Sequence, residues 1–145
     1  MEEIEIRLGK YAIAKSGLLK IDRISSGVSV MLYNAEHKTG AALHILASHS
    51  GPRAPQNPIV YANTAIPFIM EQLRKKGIKP PFSVAIAGGA VMPGTHGISH
   101  IGPTTAKAVR SALSDQGLTI KIDKTGTNQI RSMILDVDAG KIKIS

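Results

Sequence analysis

The chain has no cysteine and no tryptophan, and its aromatic residues are three tyrosines and two phenylalanines among 145 residues. Without cysteine there can be no disulfide, no thiolate metal ligand and no thiol nucleophile, so redox chemistry does not identify a compartment. The shortage of aromatics leaves little surface on which nucleic-acid bases could stack. No apolar run approaches the roughly 18 residues that a membrane-spanning helix requires. The opening MEEIEIRLGK is acidic and alternating, unlike the basic start and unbroken apolar stretch of a secretory signal, and this makes the cytoplasm the expected location.

Acidic residues are also scarce. Ten Asp and Glu face eighteen Lys and Arg, for a net charge of +8, and the isoelectric point is near 9.9. The basic residues are spread from Lys15 to Lys143, with one cluster at Arg74-Lys75-Lys76, and no recognised nucleic-acid-binding motif accompanies them. A basic nucleic-acid-binding domain therefore stands only as an alternative; a solvated basic face meeting an acidic protein surface fits the pattern better. Length and a mean hydropathy of +0.04 predict one globular domain over residues 1–145, large enough to form a core without disulfides or metal.

The hydrophobic period switches repeatedly between two and 3.6, with glycine and proline as punctuation. Ile4, Ile6 and Leu8 alternate with Glu5 and Arg7, and Val28, Val30 and Leu32 alternate with Ser29, Met31 and Tyr33, predicting two half-buried strands. AALHILA, residues 41–47, is apolar except for His44, as in a strand covered on both faces. YANTAIPFIMEQLRKKG has Ile66, Ile69, Met70 and Leu73 at helical spacing, with Asn63 or Thr64 as candidate cap, Pro67 in the first turn and Gly77 as the stop. A second helix is predicted from about Pro103, at the first helical position, to Gln116, closed by Gly117. SVAIA, LTIKI, RSMILDV and KIKIS read as strands, the last two as a hairpin. The expected class is α/β (α+β), with two helices packed on mixed sheet.

Three constellations could carry chemistry. GGAVMPG follows a strand, but it is neither a dinucleotide fingerprint nor a phosphate-binding loop, and a tight strand-to-loop turn accounts for it. His96 and His100 have the i, i+4 spacing of a metal pair, yet Gly97 stands between them and no clear third ligand is near. Neither cofactor nor metal is expected. The third constellation joins the turn Ser25-Ser26-Gly27, the lone polar residue His44 and Thr64.

Around these three, I24-S-S-G-V-S-V-M-L-Y-N, G40-A-A-L-H-I-L, V60-Y-A-N-T-A-I-P, A87-G-G-A-V-M, I101-G and T125-G-T-N-Q-I-R-S resemble, in order and spacing, the CheD family of chemoreceptor glutamine deamidases. The likeness begins at Gly9-Lys10-Tyr11-Ala12 and reaches the last hairpin. It implies a layered fold of mixed β-sheets flanked by helices, related to the deamidating toxins. It also implies a cytoplasmic chemotaxis protein acting on glutamines of receptor helices through a cysteine and a histidine, with a threonine in support. The implied partners are chemoreceptor cytoplasmic helices and a CheC-type phosphatase. By the same resemblance the histidine falls on His44, the threonine on Thr64, and Asn128, Arg131 and Ser132 match a segment that could contribute to binding.

The family's turn reads Gly-Leu-Gly-Ser-Cys-Val, and here it reads Arg23-Ile24-Ser25-Ser26-Gly27-Val28. The cysteine's position is Gly27, which has no atom to attack an amide. Loss of a nucleophile from such a triad costs on the order of 10⁶ in kcat, the remainder coming from binding and the oxyanion hole. Ser26, one residue away, would point to the opposite face of an extended chain; Ser29 shares the face but lies about 7 Å along it. A hydrolase using His44 with Ser26 or Ser29, or a deamidase by another route, is the alternative to a catalytically impaired binding protein. Two family glycines have become Arg23 and Ser25, which would be strained wherever a positive φ was required, so an altered turn is expected. For His44 a second reading is a core histidine bonded to Thr64 or a carbonyl. Thr64 itself also reads as a helix cap.

Overall fold

The computed structural model of the protein describes residues 2–91 and 100–145. His96 and much of the glycine-rich turn lie outside the described residues. Among these residues, nine strands and two α-helices follow in the order β1 (Glu3–Glu5), β2 (Tyr11–Ala14), β3 (Leu18–Ile24), β4 (Val28–Asn34), β5 (Thr39–Ile45), α1 (Ala62–Lys75), β6 (Ser83–Gly88), α2 (Ile101–Asp115), β7 (Ile120–Thr125), β8 (Arg131–Asp136) and β9 (Lys141–Ile144). They form a five-stranded sheet, β2-β5-β4-β6-β7, and a four-stranded sheet, β1-β3-β8-β9. Both sheets are mixed: β6 pairs with β7, and β1 with β3, in parallel, while the other neighbours are antiparallel. A parallel pair needs a crossover connection, and α2 supplies the one between β6 and β7.

Side-chain alternation assigns the layers. Val28, Val30 and Leu32 of β4, with Ala41, Leu43 and Ile45 of β5, pack against Ala65, Ile66, Ile69 and Leu73 of α1 and Val109 and Leu113 of α2. Met31 and Tyr33 of β4 and Ala42 of β5 point the other way, onto Leu19, Ile21, Met133 and Leu135 of the four-stranded sheet. The helices cover one face of the larger sheet and the smaller sheet covers the other, giving an α+β three-layer arrangement.

This corrects the half-buried expectation for β4: all seven of its residues are buried, because the strand is central and both faces are covered. Residues 41–45 of the apolar AALHILA stretch are buried on both faces, as expected. The first strand is shorter than its alternation suggested, ending at Glu5 and leaving Leu8 47% exposed.

The helix ends also differ from expectation. Tyr61 is the N-cap of α1 without any side-chain cap bond, so Asn63 and Thr64 lie inside the first turn and Pro67 lies beyond it. Pro103 is the third residue of α2, not the first. The stops are as read: Gly77 and Gly117 adopt φ of +77° and +73°, and the amides of Ile78 and Leu118 return to the carbonyls of Leu73 and Leu113.

Gly88 ends β6 directly behind the turn after β3. It holds φ +109°, and a Cβ there would run into the Gly27 carbonyl oxygen and the Ile24 side chain. The next amide, Gly89 N–H, donates to Gly27 O at 2.8 Å, and Ala90 N–H donates to Ser25 O at 2.9 Å. These glycines are architectural: they let β6 close against the turn. Gly88→Ala is expected to destabilise the protein by about 2 kcal/mol or more, combining backbone strain with a backbone clash. Urea unfolding of the variant checks this, and an unchanged midpoint would contradict the seating of the turn.

Candidate functional site

His44 takes its orientation from the strand period. It follows Ala42 on the face of β5 turned toward the four-stranded sheet, while Leu43 and Ile45 face the helices. Its backbone is fixed on the β2 side, where Gly9 N–H donates to His44 O at 2.8 Å and His44 N–H donates to Lys10 O at 3.2 Å. The Gly9-Lys10 segment, matched by resemblance alone, therefore anchors the histidine.

In the β4·β5 register, Val28 pairs with Ile45 and Ser29 with His44. The turn residue just before Val28 consequently lies beside the imidazole. A Cβ built on Gly27 would lie 3.2 Å from His44 Nε2, 3.3 Å from Leu8 Cδ1 and 2.9 Å from Ile45 O. Gly27 is not among the left-handed glycines, so its backbone conformation is open to other residues. The approach to Ile45 O is closer than real Cβ contacts and the neighbour is backbone, so any side chain at position 27 requires the turn or β5 to move. Leu8, which no sequence argument selected, has settled over the empty position.

A cleft of about 600 Å³ opens here, lined by Ser25, Ser26, Gly27 and His44 together with charged residues of the first and third strands and their continuations, Glu5, Arg7, Asp22 and Arg23. The structure thus joins Gly27, Ser26 and His44. It does not join Thr64 to them. Thr64 donates its hydroxyl to Pro58 O at 2.6 Å and also lies 3.2 Å from Tyr61 O, bonding the short 3-10 turn Pro58–Val60 to the start of α1. It belongs to the helix layer, on the opposite side of the larger sheet from the face of His44. The expectation that Thr64 caps the helix or bonds the histidine is corrected accordingly, since His44 Nδ1 is buried with no partner among the described residues.

Ser29 is fully buried, and its hydroxyl likewise has no partner among the described residues. Ser29 and His44 are thus adjacent cross-strand neighbours, each with an unsatisfied polar atom. Ser29 stands two residues along the strand from position 27, on the face shared with His44, and its burial removes it from solvent.

Arg23 holds φ +54°, as expected for a side chain placed where the family has glycine, at a cost of about 1–2 kcal/mol; Ser25 does not share this conformation. Arg131 opens β8 opposite Ile24, next to the turn, and its Nε is buried without a partner among the described residues. Asn128 is exposed and Ser132 half-buried, on the turn before β8 and on β8 itself. His100 is exposed at the start of α2; no cluster of three metal-ligating side chains occurs among the described residues. Among the same residues no helix is long and apolar enough to cross a membrane.

Burial depresses the His44 pKa from 6.5 to about 4, so the ring is neutral at physiological pH. The unfolded chain protonates this histidine below pH 6.5 and the native state only near pH 4. The associated stability is complete above the unfolded value and is lost as pH falls through the folded one, about 3 kcal/mol in all. Urea unfolding at a series of pH values should show this loss, and His44→Gln should remove that component. Parallel pH profiles for the two proteins would contradict the burial of the imidazole.

Comparison with known proteins gives the same direction. The family model described as CheD chemotactic sensory transduction matches residues 45–145, beginning one residue after His44. The chemoreceptor glutamine deamidase CheD of Thermotoga maritima is 33% identical, over 96% of this chain and 88% of that protein. A probable chemoreceptor glutamine deamidase CheD of Clostridium novyi is 31% identical over 99% of this chain and 94% of its own. A similarly named protein of Methanococcus vannielii is 30% identical over 97% and 93%. The matched region, the near end-to-end identity and the layered α+β architecture agree, and the chain belongs to the CheD family.

Proposed function

We propose that this chain acts as a single CheD-like domain, residues 1–145, in cytoplasmic chemotaxis signalling, and that its deamidase site has lost turnover while keeping the surface for a chemoreceptor helix or a CheC-type phosphatase. The observation that carries this reading is the 3.2 Å separation between His44 Nε2 and the point where a residue-27 Cβ would stand. Position 27 and the base position face each other, and position 27 has no side chain.

The chemistry defines what is missing. A thiol at position 27 would pass its proton to His44 and attack the glutamine side-chain carbonyl carbon as the thiolate, and the C–N bond would break as the imidazolium gave that proton to the departing ammonia. Water activated by the same imidazole would then split the thioester, releasing glutamate and the thiol. His44, neutral at physiological pH, has the protonation state of a base. Without an attacking sulfur the sequence of steps cannot begin.

A serine hydrolase is the competing reading. Ser26 lines the cleft and Ser29 is the register partner of His44, yet Ser29 is buried away from any substrate. Asn128, Arg131 and Ser132 are assigned a supporting place in binding, because β8 begins opposite Ile24 at the edge of the turn. The sparse aromatics and the family membership favour a protein partner over nucleic acid.

The test is incubation of the unmodified protein and of Gly27→Cys with cytoplasmic fragments of chemoreceptors, followed by peptide mass spectrometry for glutamine converted to glutamate. The unmodified protein should be inactive and the cysteine variant active, a difference approaching the order of 10⁶ in kcat seen when a triad nucleophile is removed. Deamidation by the unmodified protein, abolished in Ser26→Ala, would establish the serine reading instead. A folded Gly27→Cys protein with no activity would contradict the retained site.

A further inference from the structure

We propose that the cleft recognises a side-chain carboxylate, a glutamate on a partner polypeptide, in preference to the corresponding glutamine. This rests on the reading of the cleft as a receptor-binding site without a nucleophile, and it specifies what such a site would hold: the product of amide hydrolysis, not its substrate.

The cleft carries two arginines and two carboxylates beside the turn, with Ile6, Leu8 and Leu46 as its apolar part. Among the described residues, the backbone amides of Ser26 and Gly27 have no acceptor, and both residues line the cleft. Arg7 and Arg23 line it as well, and neither guanidinium is among the ion pairs formed by the described residues. Two carboxylates share the lining, and they differ in availability. Asp22 lies 3.5 Å from Lys20 Nζ, which partly counters its charge, the same lysine being shared with Glu3 at 3.6 Å; Glu5 makes no ion pair among the described residues. His44 contributes a neutral ring whose Nε2 faces the space vacated at position 27.

A carboxylate entering this space meets amide and guanidinium donors, and a planar guanidinium can take both of its oxygens at once. A glutamine amide would set its own NH2 group against those donors and would forgo the charge. Arg23 gives the independent observation. It sits at φ +54°, a conformation that glycine would adopt without strain, and that strained backbone places a cation at the cleft. A charge-assisted contact in place of a neutral one should favour the glutamate form by on the order of tenfold.

The experiment uses two receptor cytoplasmic fragments that differ only by Glu or Gln at a single position, titrated against the intact protein and against Arg23→Gly by calorimetry at low and moderate salt. The glutamate fragment should bind about tenfold more tightly, with a preference that shrinks as salt rises. Arg23→Gly should melt no lower than the parent, since its backbone strain is relieved, and should lose most of the preference. Equal binding of the two fragments, or tighter binding of the glutamine form, would overturn the carboxylate assignment while leaving receptor binding intact. Failure of both fragments to bind would overturn the receptor reading and the assignment with it. A preference that survives in Arg23→Gly would remove Arg23 from the recognition.

Discussion

The antiparallel pairing of β4 with β5 is the constraint on which the rest of the site depends. Its register sets Ser29 opposite His44 and Val28 opposite Ile45, and a slip of one residue would turn every side chain of the strand to the other layer. Both faces of this pair are buried, one under the helices and one under the four-stranded sheet. The register is therefore specified twice. With β4 fixed, the turn that feeds it can end only beside the imidazole, and the Gly88-Gly89-Ala90 segment holds that turn from behind by two backbone hydrogen bonds. The close approach of position 27 to the His44 ring follows from sheet packing and does not depend on which side chain position 27 carries.

Much of this was legible in the sequence, and the parts that were not share a cause. The apolar stretch around His44 announced a strand buried on both faces, and Gly77 and Gly117 announced the helix stops. The alternating pattern of residues 28–33 was misread as half-buried because Ser29, Met31 and Tyr33 look like a solvent face. The covering four-stranded sheet is assembled from β1, β3, β8 and β9, segments distant in sequence, and no local pattern reports that assembly. The same holds for Leu8, Arg7 and Asp22 around the cleft. They come to the site through the parallel pairing of β1 with β3, which only the fold displays. Thr64 shows the converse: its sequence neighbourhood matched well, but the larger sheet separates its layer from the face on which His44 lies.

The chemistry of the cleft combines one loss with several retained features. Position 27 has no side chain, and Leu8 Cδ1 and the Ile45 carbonyl oxygen lie 3.3 and 2.9 Å from where its Cβ would stand. Burial keeps His44 uncharged, and the turn keeps free amides and gains an arginine in a left-handed conformation. On the proposed reading, this cleft binds a polar side chain without transforming it.

We propose that position 27 and His44 are placed as a nucleophile and its base, with only the sulfur absent. The pH dependence of thiol alkylation in Gly27→Cys tests it most directly, with circular dichroism to establish that the variant is folded. A nucleophile–base pair requires the thiol to pass its proton to the imidazole, the attraction within the thiolate–imidazolium pair offsetting the burial that keeps His44 neutral beside glycine, and the alkylation midpoint is then expected below the ordinary cysteine value of about 8.5. A folded variant whose thiol titrates at or above that value would show that His44 and position 27 no longer act on one another, and the account would fail.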